Sequence, residues 1–361
     1  MSHINPGIPL SDELSASTLS YWESALLGLL AIPSVTGQEQ EVATVLEDLL
    51  RARFEGARVF RQDVGGGRWN VIMERGAPKI TLTTHIDTVP GGPTPSFSAT
   101  DIYGRGACDA KGQVIAQLWG LERAIAAGLQ EYRCAFVVGE ELDAIGARAL
   151  LDLPPTEYLL NGEPTENRFV RRGWGVHEVE VFAEGISAHS SLGTAHSAVH
   201  LLVRELSELL RHETEGISIN IGTIAGGLAP NVQAPSASCI MCARVRGEPD
   251  DFEALLRRHL VECSWKARFP GTRGVELFVP AVHTGPDIEV KFASDCSVYT
   301  QRYRSVMLFG PGRIEDAHTE HESISRLALH EAAHMIGDLL RGLSVHGCIE
   351  PRLGNTCESD R

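Results

Sequence analysis

KITLTTHIDTVP, residues 79–90, decides the fold. After Lys79 the first part is uncharged and rich in Ile, Leu and Thr, as a buried strand is. It stops at His85-Ile86-Asp87. In open α/β sheets, functional groups collect at the carboxyl ends of strands. A histidine there can ligate a metal, and an aspartate beside it can fix the ring's tautomer. An ordinary surface turn would also use these residues.

Strands and helices alternate around this stretch. Helices are predicted at 18–31 and 38–54, the second closed by Gly56, and strands at 57–62 and 70–74. An amphipathic helix is predicted at 112–127, ending at Gly128, a favourable C-cap residue. A strand at 132–138, a helix at 145–151 and a strand at 157–160 follow. This order predicts an α/β sheet covered on both faces.

After Trp174 the rhythm changes. VHEVEVF, 176–182, alternates polar and apolar residues, as a half-exposed antiparallel strand does. A helix at 194–212, strands at 217–224 and 237–245, a helix at 251–263 and a strand near 275–279 complete a β-α-β-β-α-β split unit. Beyond about Gly285 the buried pattern resumes, with a strand at 305–309 and a helix at 324–340. The predicted organisation is a larger α/β domain, 1–174 and 285–361, with an α+β domain inserted at 175–284.

The 361 residues carry a net charge of −15. No basic face is available for a phosphate backbone, which argues against nucleic acid as a partner. ALLGLLAI, 25–32, is too short to span a bilayer and reads as the buried face of a helix. No basic segment with a following apolar run and cleavage site opens the chain, and the eight cysteines show no disulfide spacing. A cytoplasmic protein with reduced thiols is expected. Residues 1–17 and 347–361 are polar and aperiodic, so order is not expected there. Cys239-x-x-Cys242 has half of a zinc-knuckle spacing, but in a strand these positions face opposite sides.

GRGACDAKG, 104–112, crowds glycine backbone around Asp109 just before a helix. It lacks the Gly-Lys-Ser/Thr order of a phosphate loop. Glu140 and Glu141, in GEE at 139–141, would repel each other if buried without a cation. One could bind metal while the other takes a proton from a metal-activated water; an exposed acidic turn is the plain alternative. GEPT, 162–165, adds Glu163, and AHT, 317–319, adds His318 after Gly310-Pro311-Gly312. Histidines and carboxylates at strand ends form a mixed N/O set that suits zinc, and a bridging carboxylate can hold two ions.

The motifs THIDTVP (84–90), GRGACDAKG (104–112), GEE (139–141), GEPTE (162–166), AHSS (188–191) and AHTEHES (317–323) occur in this order. They resemble the acetylornithine deacetylase, succinyl-diaminopimelate desuccinylase and carboxypeptidase G group of two-zinc hydrolases, over about 19–340. The resemblance implies a zinc-peptidase-like catalytic domain with an inserted ferredoxin-like dimerisation lid. It implies that Asp109 bridges two zinc ions, cobalt being an alternative. His85 and Glu163 would complete one site, and Glu141 and His318 the other. Glu140 would be the general base, with Asp87 orienting His85. In the lid, His189 would stabilise the oxyanion in a partner's active site. Asn231 and Arg244 would bind substrate, Arg244 by gripping a carboxylate. The family often has an aspartate two residues before that arginine, where this chain has Cys242.

The expected function is hydrolysis of an N-acyl amino acid, acetylornithine deacetylase-like, by a homodimer acting on a small carboxylate-bearing substrate. A hydrolase releasing lysine or ornithine from an amino-group carrier protein, and a dipeptidase or carboxypeptidase, are the alternatives within this chemistry. A binding protein of the same fold that has lost catalysis would show a broken ligand set or no base, and every such position is filled here.

Overall fold

The computed structural model describes residues 18–193, 195–282 and 285–352. The tails 1–17 and 353–361 lie outside the described residues. The described residues fall into two compact units: 18–171, 277–288 and 298–352 in one, and 172–276 and 289–297 in the other.

The first unit is built on a six-stranded sheet. Its spatial order is Arg58–Gly65, Arg68–Arg75, Tyr132–Val137, Ile80–His85, Tyr158–Asn161, Ser305–Leu308. The last four strands run parallel, so their carboxyl ends share one edge. Ile80–His85 and Tyr132–Val137 are buried at every position, which is why both read as uninterrupted runs rather than alternating ones. Helix Lys111–Ala126 packs along helix Arg326–His346. Gly120 permits the close approach: a Cβ there would lie 2.7 Å from the Ile336 Cβ. Helix Tyr21–Leu30 starts with a capping box between Ser20 and Glu23. Glu23 also pairs with Arg326, both side chains being buried.

A three-stranded antiparallel sheet, Ser323–Ser325, Asp101–Tyr103, Ser96–Phe97, also belongs to this unit. Strands of two or three residues leave no periodicity to read, and none was expected here. The pairing of Ser323 with Tyr103 brings the AHTEHES segment against the start of the GRGACD loop.

The second unit has the expected β-α-β-β-α-β order. Strands Gly175–Glu184, Ile217–Gly226, Ser236–Val245 and Ser264–Ala267, numbered one to four along the chain, form an antiparallel sheet in the order two-three-one-four. Helices Ala198–Leu210 and Pro249–His259 contribute Leu202, Leu206, Phe252 and Leu256 to a core with Val179, Val181 and Met241. The fourth strand corrects the expectation of one near 275–279. Ser264–Ala267 is a mostly exposed edge strand, bonded on one side only, and carries no apolar alternation. Val275–Glu276 pairs instead with Val170–Gly173 in a separate small sheet. Among the described residues no helix is long and apolar enough to cross a membrane, and the seven cysteines among them are free.

Candidate metal centre

Each parallel strand hands its functional group to the same edge of the sheet. His85 is the last residue of its strand, Gly139 to Glu141 follow Val137, Glu163 follows Asn161, and Gly310 to His318 follow Leu308. The turn after Val137 requires Gly139, whose φ is +82° and whose Cβ would sit 2.8 Å from the Arg68 guanidinium.

Asp109 is the hub. Its Oδ1 lies 2.9 Å from His85 Nε2 and its Oδ2 lies 3.2 Å from His318 Nε2. His318 Nε2 is also 2.9 Å from Glu141 Oε1. Two trios result, His85-Asp109-Glu163 and Asp109-Glu141-His318, each with ligand atoms all within 4.8 Å of one another. Asp109 belongs to both.

His85 Nδ1 donates to the Asp87 backbone carbonyl at 2.9 Å, which leaves Nε2 to face Asp109. The Asp87 carboxylate is farther from that ring, 3.5 Å. Its own partners are the Thr36 hydroxyl at 2.8 Å and the backbone N–H groups of Gly139, Glu140 and Glu141 at 2.9, 3.1 and 3.3 Å. Asp87 therefore holds the GEE turn through its carboxylate and His85 chiefly through its carbonyl. Its pKa is lowered: burial opposes ionisation, but His85, Thr36 and the Glu140 N–H outweigh it.

Glu322 performs the same service for the Asp109 loop. Its buried Oε1 accepts the N–H groups of Gly106, Cys108 and Asp109 at 3.0, 3.1 and 3.1 Å, while Oε2 takes the Arg105 guanidinium. Sequence reasoning passed over Glu322, Arg105 and Thr36. Glu322 stood inside a quoted motif, but among polar neighbours nothing distinguished it from a surface carboxylate.

The donor set fits cations. Burial depresses the His85 pKa, yet Asp109 and Asp87 hold it well above the ordinary imidazole value. Asp109 and Glu141 lift His318 to about 10, and Asp109 falls well below the usual carboxylate range despite its burial. Protons on the imidazoles thus supply positive charge that metal ions would replace.

His189, Asn231 and Arg244 lie in the second unit. His189 pairs with Val232 in an isolated bridge, and the Ser190 N–H donates to the Asn231 carbonyl at 3.0 Å. The Ser191 N–H donates to His189 Nδ1 at 3.2 Å, so neutral His189 carries its proton on Nε2. Arg244 lies opposite Val176 and Ser218, on the half-buried face of its strand. Cys242 shares that face, whereas Cys239 is turned into the core.

Residues 81–342 match the model for Peptidase family M20/M25/M40. The chain belongs to the M20 peptidase family. It is a metal-dependent hydrolase acting on amide or peptide bonds. A Peptidase M20 domain-containing protein of Schizosaccharomyces pombe is 31% identical, the match covering 84% of this chain and 80% of the relative. An Aspergillus terreus relative named probable carboxypeptidase is also 31% identical, over 84% of this chain and 82% of its own. An Aeropyrum pernix relative carrying the name LysW-lysine/LysW-ornithine hydrolase is 28% identical, over 89% and 92%. The M20 fold recurs in Bacillus cereus aminopeptidase PepT, with a TM-score of 0.73, 19% identity and coverage of 90% and 98%. It recurs again in a Bacillus subtilis protein described as a dinuclear metal-binding peptidase, with a TM-score of 0.68, 15% identity and coverage of 91% and 98%.

Proposed function

We propose that this M20 hydrolase is a two-zinc enzyme that cleaves an N-acyl or peptide bond next to a carboxylate in a small substrate. The observation that carries the reading is the single Asp109 carboxylate shared between a His85-Glu163 site and a Glu141-His318 site. Zinc held there would polarise the scissile carbonyl and make the attacking water more acidic.

The chain's own residues do the rest. Asp87 fixes the turn that carries Glu140 by accepting the Glu140 N–H. Glu140 takes the water proton and returns it to the leaving amine nitrogen. His189, with its proton on Nε2, donates to the carbonyl oxygen as negative charge develops. Through the lid's family resemblance, it acts from a partner subunit of a homodimer. Arg244 grips the substrate carboxylate with two parallel N–H groups, and Asn231 adds a further polar contact. A cytoplasmic setting accords with the free thiols.

The acetylornithine-type reading rests on sequence motifs, and the relatives named carboxypeptidase support peptide substrates equally. A second reading, release of lysine or ornithine from a carrier protein, is favoured by the Aeropyrum relative, of which this chain covers 92%. Chelated enzyme restored with zinc or cobalt is incubated separately with acetylornithine, succinyl-diaminopimelate, dipeptides and carrier-linked lysine. Amine release from one class assigns the branch. Full activity after chelation would refute the metal mechanism.

A further inference from the structure

Strand Ser236–Val245 in the second unit turns Cys239, Met241, Ala243 and Val245 into the core under the two helices. Its other residues, Ser238, Ile240, Cys242 and Arg244, therefore lie half-buried on the opposite face. Neighbouring charges on that face have partners of their own. Glu178 pairs with Arg268, and Glu180 with Lys266 at 3.1 Å. Arg244 differs. The residues directly opposite it are Val176 and Ser218, both uncharged, and its guanidinium forms no ion pair or hydrogen bond among the described residues.

Two positions earlier on the same face stands Cys242, opposite Glu178 and Asn220. Side chains two apart on a strand are rooted about 7 Å from one another, a gap that an arginine spans easily. A carboxylate at 242 would meet Arg244, whereas Glu178 is already held by Arg268. Burial pushes the Cys242 thiol up; Arg244 pulls it back and Glu178 adds to the rise. The thiol is thus uncharged near pH 7. The ordinary reading makes Cys242 a small residue filling a strand position. It leaves Arg244 unexplained: a half-buried guanidinium has given up part of its hydration, and no anion of the chain compensates it.

We propose that Cys242 is a specificity-determining residue, whose uncharged side chain leaves the Arg244 guanidinium open to an anion brought by the substrate and so selects substrates that carry a carboxylate. This rests on the role of Arg244 given above. An aspartate at 242 would occupy the guanidinium from within the strand, and the substrate carboxylate would have to displace it. Binding is lost in the ground state and the transition state alike, so the effect falls on KM and spares kcat.

The test uses the full-length, zinc-restored enzyme with acetylornithine and alanyl-alanine as substrates. Arg244→Ala examines the reading on which this one rests: KM is expected to rise about tenfold or more. An unchanged KM, or no cleavage of either substrate by wild type, removes that reading and this inference with it. Cys242→Asp is expected to raise KM about tenfold at nearly constant kcat, while Cys242→Asn, of the same size and uncharged, stays close to wild type. If Arg244→Ala raises KM and Cys242→Asp does not, or if Cys242→Asn raises it equally, the role of Cys242 is overturned and that of Arg244 stands. Alkylation of folded wild type needs no substitution, peptide mass spectrometry confirming Cys242 as the modified residue. Iodoacetate leaves a carboxylate on the sulfur and iodoacetamide an amide of the same size; in both, iodide departs and the thiol proton passes to solvent. KM is expected to be about tenfold higher after iodoacetate than after iodoacetamide. Equal values overturn the proposal even if Cys242→Asp fails to fold.

Discussion

Glu322 Oε1 accepts the backbone N–H of Asp109 at 3.1 Å, across 213 positions of sequence. The bond fixes the main chain of the residue on which both metal trios converge, and it does so from the segment that also carries His318.

Glu322→Gln puts an amide among three converging N–H donors and beside Arg105. Partners one step beyond the ligands typically change metal affinity or activity by about 10- to 100-fold. The variant is expected to need that much more free zinc for half-maximal rate while keeping its far-ultraviolet circular dichroism. Unchanged zinc dependence would reduce Glu322 to a scaffold residue.

Glu140→Gln is expected to keep its metal content and lose kcat by about 10²- to 10⁴-fold, the usual contribution of a positioned general base. Metal analysis alongside single-turnover rates separates the two effects. Wild-type turnover in this variant would remove Glu140 from the mechanism.

His189→Ala is expected to lower kcat by about 10²- to 10³-fold, as loss of an oxyanion donor does. Mixing it with Glu140→Gln tests where the histidine acts. If it acts across a dimer, mixed dimers contain one intact centre and activity returns. No recovery on mixing, or a monomer by light scattering, would place His189 in its own subunit's chemistry or outside it.

The buried Glu23–Arg326 pair makes a pH-dependent contribution to stability. Burial alone would raise the Glu23 pKa, but hydrogen bonds from Arg326 and Ser20 bring it below the ordinary 4.5. A lowered carboxylate pKa stabilises the fold fully above the unfolded value, and the contribution fades as pH falls through the folded one. Glu23→Gln should therefore cost on the order of 3 kcal/mol at pH 7, because Arg326 is left buried without its counter-charge. Urea denaturation should show the gap to wild type narrowing below pH 4.5. A gap that stays constant down to pH 3 would contradict this.

Much of the centre was legible because parallel strands are buried on both faces. KITLTT and YRCAFV read as unbroken runs, and whatever polar residues follow such runs must lie at one edge. That logic brings His85, Glu163, His318 and the pair Glu140 and Glu141 to one edge, while the choice of Glu141 as the ligand is what the family resemblance implies. The carboxylates that hold the loops in place were less visible. Glu322 works by accepting N–H groups from a distant loop, and backbone donors leave no trace in side-chain pattern. Asp87 was expected to orient His85, and its bonds to the GEE turn again involve main chain. Ser264–Ala267 escaped for a different reason: an edge strand needs only one hydrogen-bonded side and can be polar throughout.

Four neighbouring strand ends supply the groups around Asp109, so ions seated there would act as a seam across the sheet. No strand could then peel away at that margin without first breaking a coordinate bond. Amide exchange at Thr84, Val137 and Asn161 should consequently approach the rate of whole-molecule opening in the metal-loaded protein, while the stripped protein frays from this margin inward.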